Sequence, residues 1–145
     1  MQDHHRAFLQ SLNANQTSHS GRTLFEHLKG VHDLLRDWDN PGYVCVAGLF
    51  HSIYGTKAFT HQSMSDRDKL VEMIGARAEE LVHLFCVAAD RPLFESIKDD
   101  GVRLDLMEIE AANLLEQGGS KKSLRKLMGQ KLSNGARAAL NCGVV

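Results

Sequence analysis

Apolar residues recur at helical spacing along most of the chain, and short polar turns separate the periodic segments. From Thr23 to Trp38 a stripe rich in leucine and valine returns every three or four residues, which is typical of an amphipathic helix. The turn sequence Asp39-Asn40-Pro41-Gly42 ends this helix. The next segment, Tyr43 to His51, is apolar almost all round, which predicts a central buried helix.

The other periodic segments complete a helical chain. Further predicted helices span Arg6–Leu12, Ser65–Gly75, Ala76–Ala89 and Val102–Gln117. With two prolines and few β-branched runs, the sequence indicates an all-α fold, a single bundle of about six to eight helices. We divide it into an N-terminal segment 1–20 that ends in a polar loop, a helical core 21–117, and a basic tail 118–145 packed on that core as one or two helices.

The helical phase also predicts which side chains form the core. His32 and His83 fall outside the apolar stripes, so we expect both to be solvated, and we assign no role to His4 or His5 near the N-terminus. The predicted core residues are Leu28, Val31, Leu35, Val46, Leu49, Phe50, Leu81, Phe85, Leu106 and Ile109.

Composition narrows the class of protein. The 145 residues carry 17 basic and 18 acidic side chains, so a net charge of −1 gives no reason to expect a nucleic acid or a membrane as partner. A nucleic-acid arm in the basic tail is the less favoured alternative. Three widely spaced cysteines indicate reduced thiols. A polar N-terminus, and no apolar run near the ~20 residues that span a bilayer, predict a cytoplasmic protein. The oligomeric state stays open, a homodimer included.

Two histidines are the candidate chemistry. His27 belongs to the buried stripe of its helix, and His51 ends the central apolar helix. Two inward-facing imidazoles from separate helices are suited to a metal site, and two hydrogen-bonded core histidines are the alternative. Glu110 and Asn113 lie three residues apart in the apolar phase of a third helix. We therefore predict that the three helices converge.

The residues around both histidines resemble a known family. The segments GRTLFEH (21–27) and AGLFHS (47–52) are similar to motifs of the HD-domain superfamily of metal-dependent phosphohydrolases, nearest the RelA/SpoT-type guanosine tetraphosphate hydrolase branch. Thr56 and Ile74-Gly75 also match positions of that branch. The family's His-Asp pair is His51-Ser52 here, and its following Glu-Asp is replaced by tyrosine and glycine.

This resemblance implies an HD-like bundle with one divalent metal ion, Mn, Fe or Zn. The motif histidines His27 and His51 would be ligands, with Glu110 as the third. Asp90 and His19 are alternatives for that third position. The implied function is a metal-dependent hydrolase that acts on a phosphorylated or nucleotide-like small molecule.

Other residues receive roles from the same resemblance. Arg22 or Lys57 would offset phosphate charge, and Asn113 would contact the substrate. Ser52 and Tyr54 lie at the expected reaction centre, where Tyr54 is either a proton donor or a packing residue. Two other functions stay open, namely an iron-dependent oxygenase on the same scaffold and a degenerate, non-catalytic HD fold that binds a small ligand or a partner.

Overall fold

A computed structural model describes residues 1–12, 14, 17–19, 21–55 and 62–144. Within these residues the chain is mostly helical, with one short antiparallel hairpin. The all-α class is thus confirmed, whereas the hairpin was not predicted, since it begins in an expected loop. The elements are α1 (Asp3–Ser11), β1 (Ser18–His19), β2 (Arg22–Thr23), α2 (Leu24–Asp37), α3 (Gly42–Leu49), α4 (Arg67–Ile74), α5 (Ala76–Val87), α6 (Asp100–Gln117), α7 (Lys121–Leu127) and α8 (Asn134–Gly143).

A capping box fixes the start of α2. The Thr23 hydroxyl accepts a hydrogen bond from the Glu26 amide at 3.1 Å, and the Glu26 carboxylate accepts one from the Thr23 amide at 3.1 Å. Two of the otherwise unpaired amides at the helix start are satisfied in this way. His27 therefore lies in the first turn of a helix whose start is well defined.

Helix α3 is the central element and packs against α2, α5 and α6. Gly48 permits its close approach to α2, because a Cβ atom there would collide with the Leu35 side chain and come within 3.2 Å of Val31. This contact sets the separation between the helix that carries His27 and the turn that carries His51.

The core largely follows the predicted phase. Of the ten predicted residues, nine are buried and Val46 is half-buried. His32, expected to be solvated, is instead buried, and its Nδ1 lies 3.0 Å from the Asp33 carboxylate. His5 is also buried and packs its ring edge-on against Phe50, so the N-terminal helix is part of the core rather than a free end.

The C-terminal tail forms two helices, α7 and α8, that pack against α6 and each other. Helix α4 begins after Asp66, whose side chain accepts from the Lys69 amide, rather than at Ser65, where the predicted helix starts. Among the described residues no helix has both the length and the apolar character needed to cross a membrane. The tail residues that join the core are Leu124, Leu127, Leu132, Ala136 and Leu140.

Candidate functional site

Helices α2 and α6 and the turn that follows α3 bring His27, Asn113 and His51 together in the interior. The two imidazole rings lie edge to face with centroids 5.2 Å apart, and their exposed fractions are 0% and 2%. The Asn113 Oδ1 atom lies 2.9 Å from Nε2 of His27 and 3.1 Å from Nε2 of His51. The predicted convergence of the helices is therefore confirmed, while the role of the cluster stays a prediction.

The surroundings of His51 keep its imidazole neutral. The ring packs edge-on against Phe85, and burial lowers the pKa of His51 to about 3, with repulsion from His27 as the next cause. Its Nδ1 lies 2.8 Å from the Gly48 carbonyl oxygen, which can only accept. The single hydrogen of the neutral ring therefore sits on Nδ1, and Nε2 directs a lone pair toward Asn113.

The predicted third ligand, Glu110, contacts the amide nitrogen of Asn113. Asn113 Nδ2 donates to Glu110 Oε1 at 2.9 Å, and Glu110 Oε2 pairs with Arg91 Nε at 3.4 Å. Burial raises the pKa of Glu110, and the Arg91 guanidinium opposes that rise. Glu110 thus contacts the amide, and its role as a metal ligand stays a prediction.

The fit of a metal ion rests on Asn113 as much as on the histidines. No group of three or more His, Cys, Asp or Glu side chains within the described part of the chain is arranged to hold a metal ion. With Asn113 included, the Nε2 atoms of both histidines lie near one oxygen, at Nε2–Oδ1 distances of 2.9 and 3.1 Å. Ligand bonds of ~2.0–2.1 Å place neighbouring ligand atoms ~3–4 Å apart, so these two distances are compatible with one ion, and a bound metal stays a prediction.

The β1–β2 hairpin covers the outer face of His27. The His19 ring stacks on the His27 ring with centroids 4.2 Å apart and an interplanar angle of 9°. Burial lowers the pKa of His19. At the next strand, Arg22 pairs with the Glu116 carboxylate of α6, and that carboxylate lies 2.8 Å from Nδ1 of His27. The hairpin therefore brings a histidine and an arginine against the cluster.

The remaining predicted residues have other partners. The Tyr54 hydroxyl donates to Glu79 at 2.7 Å, and Arg67 holds the same carboxylate with two hydrogen bonds of 2.8 Å. Burial, followed by Glu79, raises the pKa of Tyr54. Ser52 is buried, and its Oγ has no hydrogen-bond partner among the described residues. Asp90 accepts from the Ser96 amide at 2.8 Å.

Lys57 and Thr56, which we also singled out, lie outside the described residues. Two residues of the cluster were missed from the sequence. Glu116 follows Asn113 by three residues on α6, so extending the Glu110–Asn113 stripe by one turn would have found it. Arg91 lies in a turn after α5, where no periodicity points to it.

A family model described as Domain of unknown function (DUF6817) matches residues 8–91 of the 145. The chain belongs to this family. The DUF6817 region includes both histidines and Arg91, whereas Asn113 and Glu116 lie beyond it on α6. No curated protein and no solved structure matches the chain. Any functional conclusion therefore rests on the geometry of the site.

Proposed function

We propose that the protein is a metal-dependent hydrolase of HD-like fold that acts on a phosphorylated or nucleotide-like small molecule. One divalent ion, Mn, Fe or Zn, would be held by His27, His51 and Asn113. The observation that carries this proposal is the approach of both Nε2 atoms to one oxygen, Asn113 Oδ1, at 2.9 and 3.1 Å. Two imidazoles and one further ligand are the donor set of an open, catalytic type of site.

The position of the ring hydrogen of His51 supports a cation bound between its Nε2 atom and Asn113 Oδ1. The Gly48 carbonyl takes the ring hydrogen on Nδ1, so Nε2 and Asn113 Oδ1 face each other as two acceptors 3.1 Å apart. A divalent ion would convert that repulsion into two ligand bonds. The Asn113 amide is held in this orientation, because its Nδ2 donates to Glu110 Oε1 at 2.9 Å.

The charges around the cluster support an anionic substrate. Arg91 lies over the Phe85 ring, 4.8 Å from its centroid, and pairs with Glu110. Arg22, in the hairpin, has a side chain that is 40% exposed and pairs with Glu116. Guanidinium groups bind phosphate with paired hydrogen bonds, so either could offset its charge. The ion, when bound, would polarise a phosphoryl oxygen and lower the pKa of bound water.

A non-catalytic binding protein is the second candidate. It is favoured because one carboxylate of the HD pattern is absent and another is already paired. Ser52 stands where the HD family has its aspartate, and serine is a poor ligand for these ions. Glu110 is paired with Arg91 and bonded to Asn113. A buried pair of histidines whose neighbouring carboxylates are already paired could bind a ligand without converting it to a product.

Metal content after incubation with Mn²⁺, Fe²⁺ or Zn²⁺ tests the proposal. We expect the wild type to retain one ion per chain, His27→Ala to lose it, and Ser52→Asp to hold it more tightly because a carboxylate is restored beside His51. His4→Ala, at an exposed histidine, is the matched control. Metal should raise the melting temperature in proportion to occupancy.

The same samples separate the functions. Phosphate release from a panel of phosphomonoesters and nucleotides by the loaded wild type would support the hydrolase. Oxygen consumption by the Fe²⁺ form without phosphate release would indicate the oxygenase instead. Metal retention with neither activity would favour the binding protein. Wild type and Ser52→Asp that both stay metal-free would refute the metal site.

A further inference from the structure

We infer that Glu116 is a positioning residue, which fixes the hydrogen of His27 on Nδ1 so that its Nε2 lone pair faces Asn113. This inference deepens the proposed function, because its value to the protein rests on the metal site. The contact itself is a property of the polypeptide alone. It can therefore be tested on protein from which metal has been removed.

The Glu116 carboxylate contacts the ring nitrogen of His27 that faces away from Asn113. Its Oε1 atom lies 2.8 Å from Nδ1 of His27, and the Arg22 guanidinium pairs with the same oxygen. The side chain of His27 is fully buried and that of Glu116 is 12% exposed. A carboxylate paired with arginine offers only acceptors, so the His27 hydrogen must point toward it.

The hydrogen bond at Nδ1 of His27 also determines whether the other ring nitrogen, Nε2, carries a hydrogen. When the His27 ring carries a single hydrogen, donation of that hydrogen from Nδ1 to Glu116 leaves a lone pair on Nε2, 2.9 Å from Asn113 Oδ1. The Gly48 carbonyl imposes the same tautomer on His51. Two separate acceptors, one from α6 and one from α3, thereby set both rings to present ligand nitrogens to one point. Such outer partners orient metal-binding histidines.

A glycine on α2 makes room for this carboxylate. A Cβ atom at Gly30, one turn after His27, would lie 2.5 Å from Glu116 Oε2 and 2.7 Å from its Cδ. Any larger residue would push the carboxylate aside. Since glycine in a helix interior costs about 1 kcal/mol relative to alanine, its presence here is explained by the space that Glu116 needs.

The experiment reads the tautomer directly. Nitrogen-15 NMR of the imidazole rings, on chelator-treated protein near pH ~8, distinguishes a protonated ring nitrogen from one with a lone pair, well above the ordinary histidine pKa of ~6.5. In the wild type we expect His27 to carry its hydrogen on Nδ1. Glu116→Gln should keep that state, because its amide oxygen still accepts.

Two variants should lose the hydrogen on Nδ1 of His27. Glu116→Met removes the acceptor, and Gly30→Ala displaces it without removing any polar group, so in both variants the His27 hydrogen should move to Nε2 and bond to Asn113 Oδ1. Glu80→Met, the same change at an exposed site on α5, is the control. If Glu116→Met fails to fold, Gly30→Ala still carries the test.

Zinc titration followed by thermal shift supplies the second readout. If the wild type binds Zn²⁺, affinity should fall ~10–100-fold in Glu116→Met and Gly30→Ala and less in Glu116→Gln. If wild type and Ser52→Asp retain none of Mn²⁺, Fe²⁺ and Zn²⁺ while the wild type shows the Nδ1–H tautomer, the proposed function is refuted and the role of Glu116 stands. A wild-type hydrogen on Nε2, or an unchanged tautomer in both variants, overturns the inference.

Discussion

The burial of His51 predicts that metal-free protein loses stability as the pH falls below the ordinary histidine range. In the folded chain, burial lowers the pKa of His51 to about 3, whereas the unfolded chain titrates near ~6.5. Below that pH the unfolded state binds a proton that the folded state excludes, so unfolding is favoured. The stabilisation is fully present above ~6.5 and disappears progressively toward pH ~3.

The magnitude follows from the pKa difference. About 3.5 pKa units correspond to ~5 kcal/mol when the loss is complete, and to about 2 kcal/mol at pH ~5. Burial also lowers the pKa of His5, His19 and His32, which adds to the loss with the same sign. The raised pKa of Glu110 has the opposite sign. A comparison with a His51 variant isolates the contribution of that one ring.

The assay is urea unfolding of chelator-treated wild type and His51→Gln at pH ~7.5 and ~5. Glutamine can still donate to the Gly48 carbonyl but cannot be protonated in this range. The free energy of unfolding of the wild type should fall about 2 kcal/mol more than that of the variant. Equal losses in the two proteins would show that His51 is not held neutral by burial, and the reasoning would be wrong.

Three further substitutions test the packing around the site by urea unfolding. Leu49→Ala should cost ~2–5 kcal/mol, because the side chain is fully buried in α3, and a loss below about 1 kcal/mol would contradict the helix phase. Gly48→Ala should cost ~1–3 kcal/mol by forcing α3 away from α2, unlike Gly129→Ala, where a Cβ meets open space. Arg67→Met should cost ~1–3 kcal/mol, because Glu79 loses its paired donors, and an unchanged stability would mean that water replaces them.

Periodicity predicted the helices because each buries one continuous face. The bounds of α2 follow from its stripe, its capping box and the turn that ends it. The hairpin was missed since strands of two residues carry no period. The prediction that His32 is solvated was wrong. His32 lies four residues after Leu28 and three before Leu35, so it shares their buried face. The buried stripe of this helix is wider than its apolar residues alone indicate.

Helical phase predicted which polar residues of the site are buried, but not which partners they contact. His27 and Asn113 were found because each lies in the apolar phase of its helix, where a polar residue needs a partner, and His51 because it ends the apolar segment that forms α3. Which partner each one takes depends on the crossing of α2, α3 and α6, which no local pattern encodes. For this reason the contact between Glu116 and His27 was not anticipated, while the ligand role of Glu110 stays a prediction.

The proposed site differs from the HD pattern chiefly in where its negative charge lies. The pattern supplies a carboxylate directly beside the second histidine, but here that position is Ser52. The two carboxylates of the cluster come instead from α6, one turn before and one turn after Asn113, and each pairs with an arginine. The ligands themselves, two imidazoles and an amide, are neutral. An ion bound there would keep its full positive charge, which favours an anionic substrate and weakens retention of the metal.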